Sequence, residues 1–146
     1  MTGRSALLVV EKIVLDTNIV VSALIGRGNP RRIVELVFEG KVMLFLSSSI
    51  AKEYTDVLSR PKFAGYPNFH TEAIGTLRML EVLATTVDAI PRLDVCLDKE
   101  DNKFLELALH VKASHLITGN KKHYPHPFFQ NIHVVSPSEF MRSRKG

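Results

Sequence analysis

Three carboxylates and one turn asparagine stand where they could share a cation. Asp16 directly follows the apolar run Ile13-Val14-Leu15, and Glu53 lies in Ser47-x-x-Ile50-x-x-Glu53-Tyr54, on a helical pattern after a second apolar segment. Asp101 opens the periodic stretch Asp101-Asn102-Lys103-Phe104-Leu105-Glu106-Leu107-Ala108, and Asn120 ends Thr118-Gly119-Asn120. Each has an ordinary explanation when taken singly. Asp16 and Asp101 can cap helices, Glu53 can be solvated, and Asn120 suits a turn. Taken together, carboxylates gathered at matching ends of one sheet repel unless a cation joins them. With a single cysteine in the chain and no clustered histidines, an all-oxygen set suits Mg²⁺ or Mn²⁺ better than zinc. Asp98 is an additional candidate ligand, whereas Glu106, one turn into the helix, reads as solvated.

The elements that would position these groups alternate in type. Ile13–Leu15, Val42–Leu46, Thr85–Val87, His115–Thr118 and Ile132–Val135 read as strands. Between them, Asn18–Ile25, a segment starting at Pro30 with Ile33, Val34, Val37 and Phe38 on one face, Ser47–Leu58, Thr71–Ala84 and Asp101–Val111 read as helices. Ile74, Leu77, Leu80 and Leu83 are taken as the core stripe of the fourth helix, and Pro137–Met141 as a terminal helical turn before a frayed basic tail. This alternation predicts an α/β fold, a mostly parallel sheet with helices on it, in which ligands collect beyond the carboxyl ends of the strands.

In this order and at these spacings, Val14-Leu15-Asp16-Thr17-Asn18, the Ser47 to Tyr54 segment, the Asp101 to Ala108 segment and Leu116-Ile117-Thr118-Gly119-Asn120 resemble the four motifs of the PIN domain. The resemblance is greatest to the PIN proteins that serve as toxins of toxin–antitoxin systems, and it covers about residues 13–140 of a single domain spanning 1–146. It implies a three-layer α/β/α sandwich and Mg²⁺- or Mn²⁺-dependent hydrolysis of single-stranded RNA. It also implies catalytic and metal-binding roles for Asp16, Glu53 and Asp101, with Asn18 and Thr118 as supporting polar positions. Asn120 departs from the family, where aspartate is common. It keeps an oxygen but drops a charge, which favours one tight metal site with a second ion recruited by substrate. A cognate antitoxin and a homodimer are further implications, with Leu24, Ile25, Val34 and Phe38 as candidate interface residues.

Composition is compatible with that reading. Of 146 residues, 45% are hydrophobic and 23% charged, and 19 Lys and Arg against 15 Asp and Glu give +4, a balance that suits a polyanionic partner. Arg27, Arg31, Arg32, Lys62, Lys121 and Lys122 fall in loops or helix starts near the predicted strand ends and are the candidate RNA contacts. Tyr54, Phe63 and Tyr66 read as packing residues. His123 and His126, separated by Pro125, read as having no metal role. The apolar stretch Ala6–Val10 is too short for a bilayer span or a secretory signal, so a cytoplasmic protein is expected. No GxxxxGK[ST] loop, GxGxxG fingerprint or Gly-x-Ser-x-Gly occurs, and Asp16-Thr17-Asn18 lacks a second aspartate two residues on, which argues against a phosphatase with a nucleophilic aspartate. The competing reading is a non-catalytic PIN-like module that binds RNA or protein. A further expectation is that Asp16→Asn stabilises the metal-free protein by relieving repulsion.

Overall fold

The computed structural model describes residues 10–96 and 98–145; most of the Ala6–Val10 stretch lies outside them. Its frame begins at β1, Glu11–Leu15, where Ile13, Val14 and Leu15 are fully buried. Three successive buried side chains point to alternate faces of a strand, so both faces of the sheet are covered. Around it run β2 (Val42–Leu46), β3 (Thr85–Thr86), β4 (His115–Ile117), β5 (Phe128–Phe129) and β6 (Ile132–Val135), in the order β3-β2-β1-β4-β6-β5. All pairings are parallel except β5 with β6. With its helices, this is the expected α/β/α sandwich. The chain starts at β1, steps outward to β2 and β3, then crosses to β4 on the other side. The strand order therefore reverses between β1 and β4, where a parallel sheet opens a crevice for ligands.

The helices are α1 (Thr17–Ile25), α2 (Asn29–Phe38), α3 (Ser48–Leu58), α4 (Phe69–Leu83), α5 (Asn102–Val111) and α6 (Pro137–Lys145). Local chemistry sets their limits. Ser47 caps α3 through its hydroxyl, which accepts from the Ile50 amide at 3.2 Å. Pro30 occupies the first turn of α2, and Gly40, with φ +73°, turns the chain out of it. A positive φ of this kind is cheap only without a Cβ.

Three expectations need correction, and one strand was not expected. In α4 the buried residues are Phe69, Ala73, Leu77 and Leu80, while Ile74 and Leu83 are 54% and 45% exposed. A stripe chosen at intervals of three falls about 60° behind the 3.6-residue period at every step, so its ends leave the core. The C-terminal residues are not a frayed tail, because α6 continues through Lys145 and Arg144 pairs with Glu11 of β1. Phe140 of α6 is fully buried and meets the His115 ring edge-on. Strand β5 was not foreseen; two residues are too short to show a period. Glu106 is not simply solvated, since its carboxylate accepts from the Leu93 amide at 2.8 Å and ties the loop before α5 to that helix.

Candidate active site

Asp16 sits one residue beyond β1, with its backbone N–H donating to Ile117 O of β4 at 3.0 Å, so the carboxylate lies at the reversal of strand order. It is 5% exposed. Three donors hold it: the Thr118 hydroxyl at 2.8 Å and the Tyr124 hydroxyl at 3.1 Å both reach Oδ2, and the Asn18 amide reaches Oδ1 at 3.4 Å. Asp16 thus does cap α1, as its ordinary reading allowed, but only with that long third contact. Thr118, fully buried, also accepts from the Asn120 amide at 3.0 Å, fastening the loop after β4 to the carboxylate.

That hydroxyl bridges two polar groups inside the protein. Thr118→Val keeps the shape but leaves the Asn120 amide without its acceptor and Asp16 without one of its three donors, a loss of about 1–3 kcal/mol. Urea unfolding of this variant beside Thr118→Ser, which retains the hydroxyl and should lose less, measures it.

Asp101 reaches the same region from the other side. It ends a 3₁₀ turn, Lys99–Asp101, and precedes α5, but its side chain caps nothing. Its Oδ2 is buried and has no hydrogen-bond partner among the described residues. His123 Nδ1 comes within 3.3 Å of that oxygen without the alignment of a hydrogen bond. Burial raises the Asp101 pKa, and the charges of Asp16 and Asp98 push it further, against a partial offset from His123. The Tyr124 hydroxyl is likewise held protonated, by burial first and then by Asp16 and Asp101. Asp98 itself is exposed and accepts from the Glu100 amide at 2.9 Å. Buried Asn102 steadies the segment, its side-chain oxygen accepting from the Cys96 and Val95 amides at 2.9 and 3.3 Å. Cys96 is buried, and its thiol is pushed up to about 11 by that burial and then by the charge of Asp101.

Glu53 is presented by α3, which Tyr54 anchors: that ring is 1% exposed and its hydroxyl donates to Leu15 O at 2.5 Å. The Glu53 carboxylate takes the Thr17 hydroxyl on one oxygen and Lys103 Nζ, at 2.5 Å, on the other. Burial works against the charge on Lys103, but Glu53 and Glu100 outweigh it and its pKa is raised. Among the described residues, no group of three or more His, Cys, Asp or Glu side chains is spaced to hold a metal ion. Asp16 and Asp101 lie near enough for the charge of one to act on the other, whereas Glu53 is engaged by Lys103.

The order of motifs has a counterpart in known proteins. A family model described as PIN domain matches residues 12–122. The chain belongs to the PIN-domain family. It is also 33% identical, over 139 residues and 89% of each chain, to an uncharacterized protein of Methanocaldococcus jannaschii. PIN domains are typically nucleases, which supports a nuclease-type hydrolase, and PIN nucleases generally use divalent metal ions.

An unpartnered buried carboxylate oxygen on Asp101, beside the charge of Asp16 and with oxygen donors around it, fits a hard divalent cation. Glu53 could join the pair only on exchanging Lys103.

The other candidates are distributed less simply. Asn18 is exposed, with only its amide on Asp16, and Asn120 is half-buried. Lys121 pairs with Glu139 of α6 at 2.9 Å, Lys62 lies over the Phe63 ring, and Arg31 pairs with Glu35 in a cleft that holds none of the site carboxylates. Arg27, Arg32 and Lys122 are exposed. Phe63 is buried and stacked on Phe69, in keeping with its packing role. A groove of about 620 Å³ has Arg92, Lys99 and Lys103 on its walls together with Asp88, Asp94, Glu100 and Glu106, and neither Asp16 nor Asp101 lines it.

His123, read as having no metal role, and Tyr124, not singled out, follow a turn in a proline-interrupted segment with no periodicity to place them beside Asp101 and Asp16. Asn102 had a usable signal: it stands three residues before Leu105, on the helix's buried face. For Lys103, adjacent to a candidate ligand, charge type alone gave no indication of its partner.

Proposed function

We propose that this PIN protein is a divalent-metal-dependent endoribonuclease that hydrolyses single-stranded RNA, acting as the toxin of a toxin–antitoxin pair. The observation that carries the proposal is the buried Asp101 oxygen, which has no hydrogen bond among the described residues and feels the charge of Asp16. Asp16 and Asp101 would hold Mg²⁺ or Mn²⁺, with Glu53 as the third acid and Asp98 as an outlying one. Such an ion, when bound, activates water for in-line attack on phosphorus and offsets charge on the leaving oxygen.

The chain's own side chains do the rest. Thr118 and Tyr124 fix the rotamer of Asp16 through their hydroxyls. His123 is placed beside Asp101. Asn18 and Asn120 offer neutral polar groups at the rim for a ribose or phosphate oxygen. Arg27, Arg32, Lys62 and Lys122 supply exposed cations for RNA, whose grip should weaken with salt; Lys121 and Arg31 contribute only after leaving their carboxylate partners. A cytoplasmic setting, a homodimer and a cognate antitoxin belong to this reading.

The test is cleavage of a single-stranded RNA pool with Mn²⁺, Mg²⁺ or EDTA. Metal-dependent internal cuts, lost in EDTA, support the reading. An inert protein that still binds RNA would favour the second reading, a non-catalytic module, for which the Lys103–Glu53 pair speaks because it keeps the third acid from the other two.

A further inference from the structure

The two oxygens of Glu53 are held very differently. Oε2 takes the hydroxyl of Thr17, the residue beside Asp16, and the neighbouring Tyr54 fixes α3 to the end of β1. This side of the carboxylate is tied to the Asp16 end of the site. Oε1 is covered by a mobile type of group, the ammonium of Lys103 on its flexible four-carbon stem.

Lys103 also has a second place to go. Glu100, one turn earlier, lies 3.5 Å from the same ammonium and is 81% exposed. The ammonium can shift toward Glu100 and solvent without losing an ionic partner, and its side chain is itself 22% exposed. Asp101 Oδ2, without a hydrogen bond among the described residues and with the His123 ring 3.3 Å away, and Glu53 Oε1, covered by Lys103, belong to the same end of the sheet.

We propose that Lys103 is the resident counter-ion of Glu53, which a divalent cation must displace to recruit that acid, so Lys103 sets the metal affinity of the free protein. The inference rests on the metal-dependent reading above. Lys103 is a positioning residue here, acting through Glu53.

Calorimetric titration of Mn²⁺ into RNA-free protein tests this without measuring activity. Lys103→Met should bind Mn²⁺ about fivefold more tightly than wild type, the scale of a partly exposed ion pair. Lys103→Arg, which keeps the charge, should stay near wild type. In a Glu53→Gln background, Lys103→Met should change affinity by less than about twofold, because the competition has lost its site. Lys103→Gln serves if the Met variant does not fold. Unchanged or weaker Mn²⁺ binding by the charge-removed variant, with wild type still binding, overturns the inference and leaves the metal site standing. Tightening that persists in the Glu53→Gln background also overturns it, since the effect would then be general electrostatics. Failure of every variant and of wild type to bind Mn²⁺ rejects the metal-dependent reading itself, and the inference with it.

Discussion

Asp16→Asn is expected to lower metal-dependent RNA cleavage on the order of 10³-fold, the scale on which a group stabilising transition-state charge is lost. Asp16 is the best-organised carboxylate of the site. Two hydroxyls and one amide orient it, and it lies where β1 and β4 part. Asparagine fits the same space but removes the charge and replaces one acceptor oxygen with a donor. Tyr124 and Thr118 can rotate their hydroxyls to meet that donor, so the fold should persist with a cost of about 1 kcal/mol. This revises the expectation that the substitution would stabilise the metal-free protein: a carboxylate with three donors gains nothing from losing its charge. Cleavage assays on purified wild type and variant, with circular dichroism to verify folding, make the comparison. Equal rates would mean that Asp16 takes no part and that the activity comes from elsewhere.

How much of this was legible in the sequence depended on whether a feature was local or relational. Strand β2 announced itself as a run of five apolar residues, β1 as the shorter run Ile13-Val14-Leu15, and β6 as Ile132, Val134 and Val135 around His133, while the Ser47 cap followed from residue type alone. Placement of Asp16, Glu53 and Asp101 near the strand ends followed from element order, because a parallel sheet sends each strand's end to the same edge. The pairing of side chains at that edge did not follow. Lys103 neutralises Glu53 across about fifty positions of chain, and no spacing rule encodes that contact. Tyr124 reaches Asp16 from a proline-rich loop whose path depends on β5 and β6. Arg31 and Lys121 carried the charge expected of RNA contacts, yet each is taken by a nearby carboxylate. Charge shows in a sequence, whereas its availability is settled by packing.

Asp101 carries the electrostatic strain of the site. Its Oδ2 is buried without a hydrogen bond among the described residues, and its pKa is raised by burial, then by Asp16 and Asp98. An acid whose folded pKa lies above its unfolded value binds its proton more tightly in the native state. Its stabilising contribution is complete below the ordinary carboxylate value, about 3.9, and is lost as pH rises through the folded value. At neutral pH the ionised group therefore works against the metal-free fold. Asp101→Asn should remove that burden and stabilise the protein in EDTA at pH 7 by about 1 kcal/mol, a figure kept low because His123 and solvent already screen the charge. The corresponding rise in Tm is roughly 3–5 °C for a domain of this size. As pH falls toward 4, wild type and variant should converge, because the proton then does what the amide does. Added Mg²⁺ should reverse the ranking at pH 7: wild type gains about 2.7 kcal/mol at a concentration one hundred times its Kd, while the variant gains far less. Thermal melts between pH 4 and 7, with EDTA and with Mg²⁺, test both halves. A variant less stable than wild type in EDTA would show that the carboxylate is already compensated, and an undiminished response to Mg²⁺ would place the ion away from Asp101.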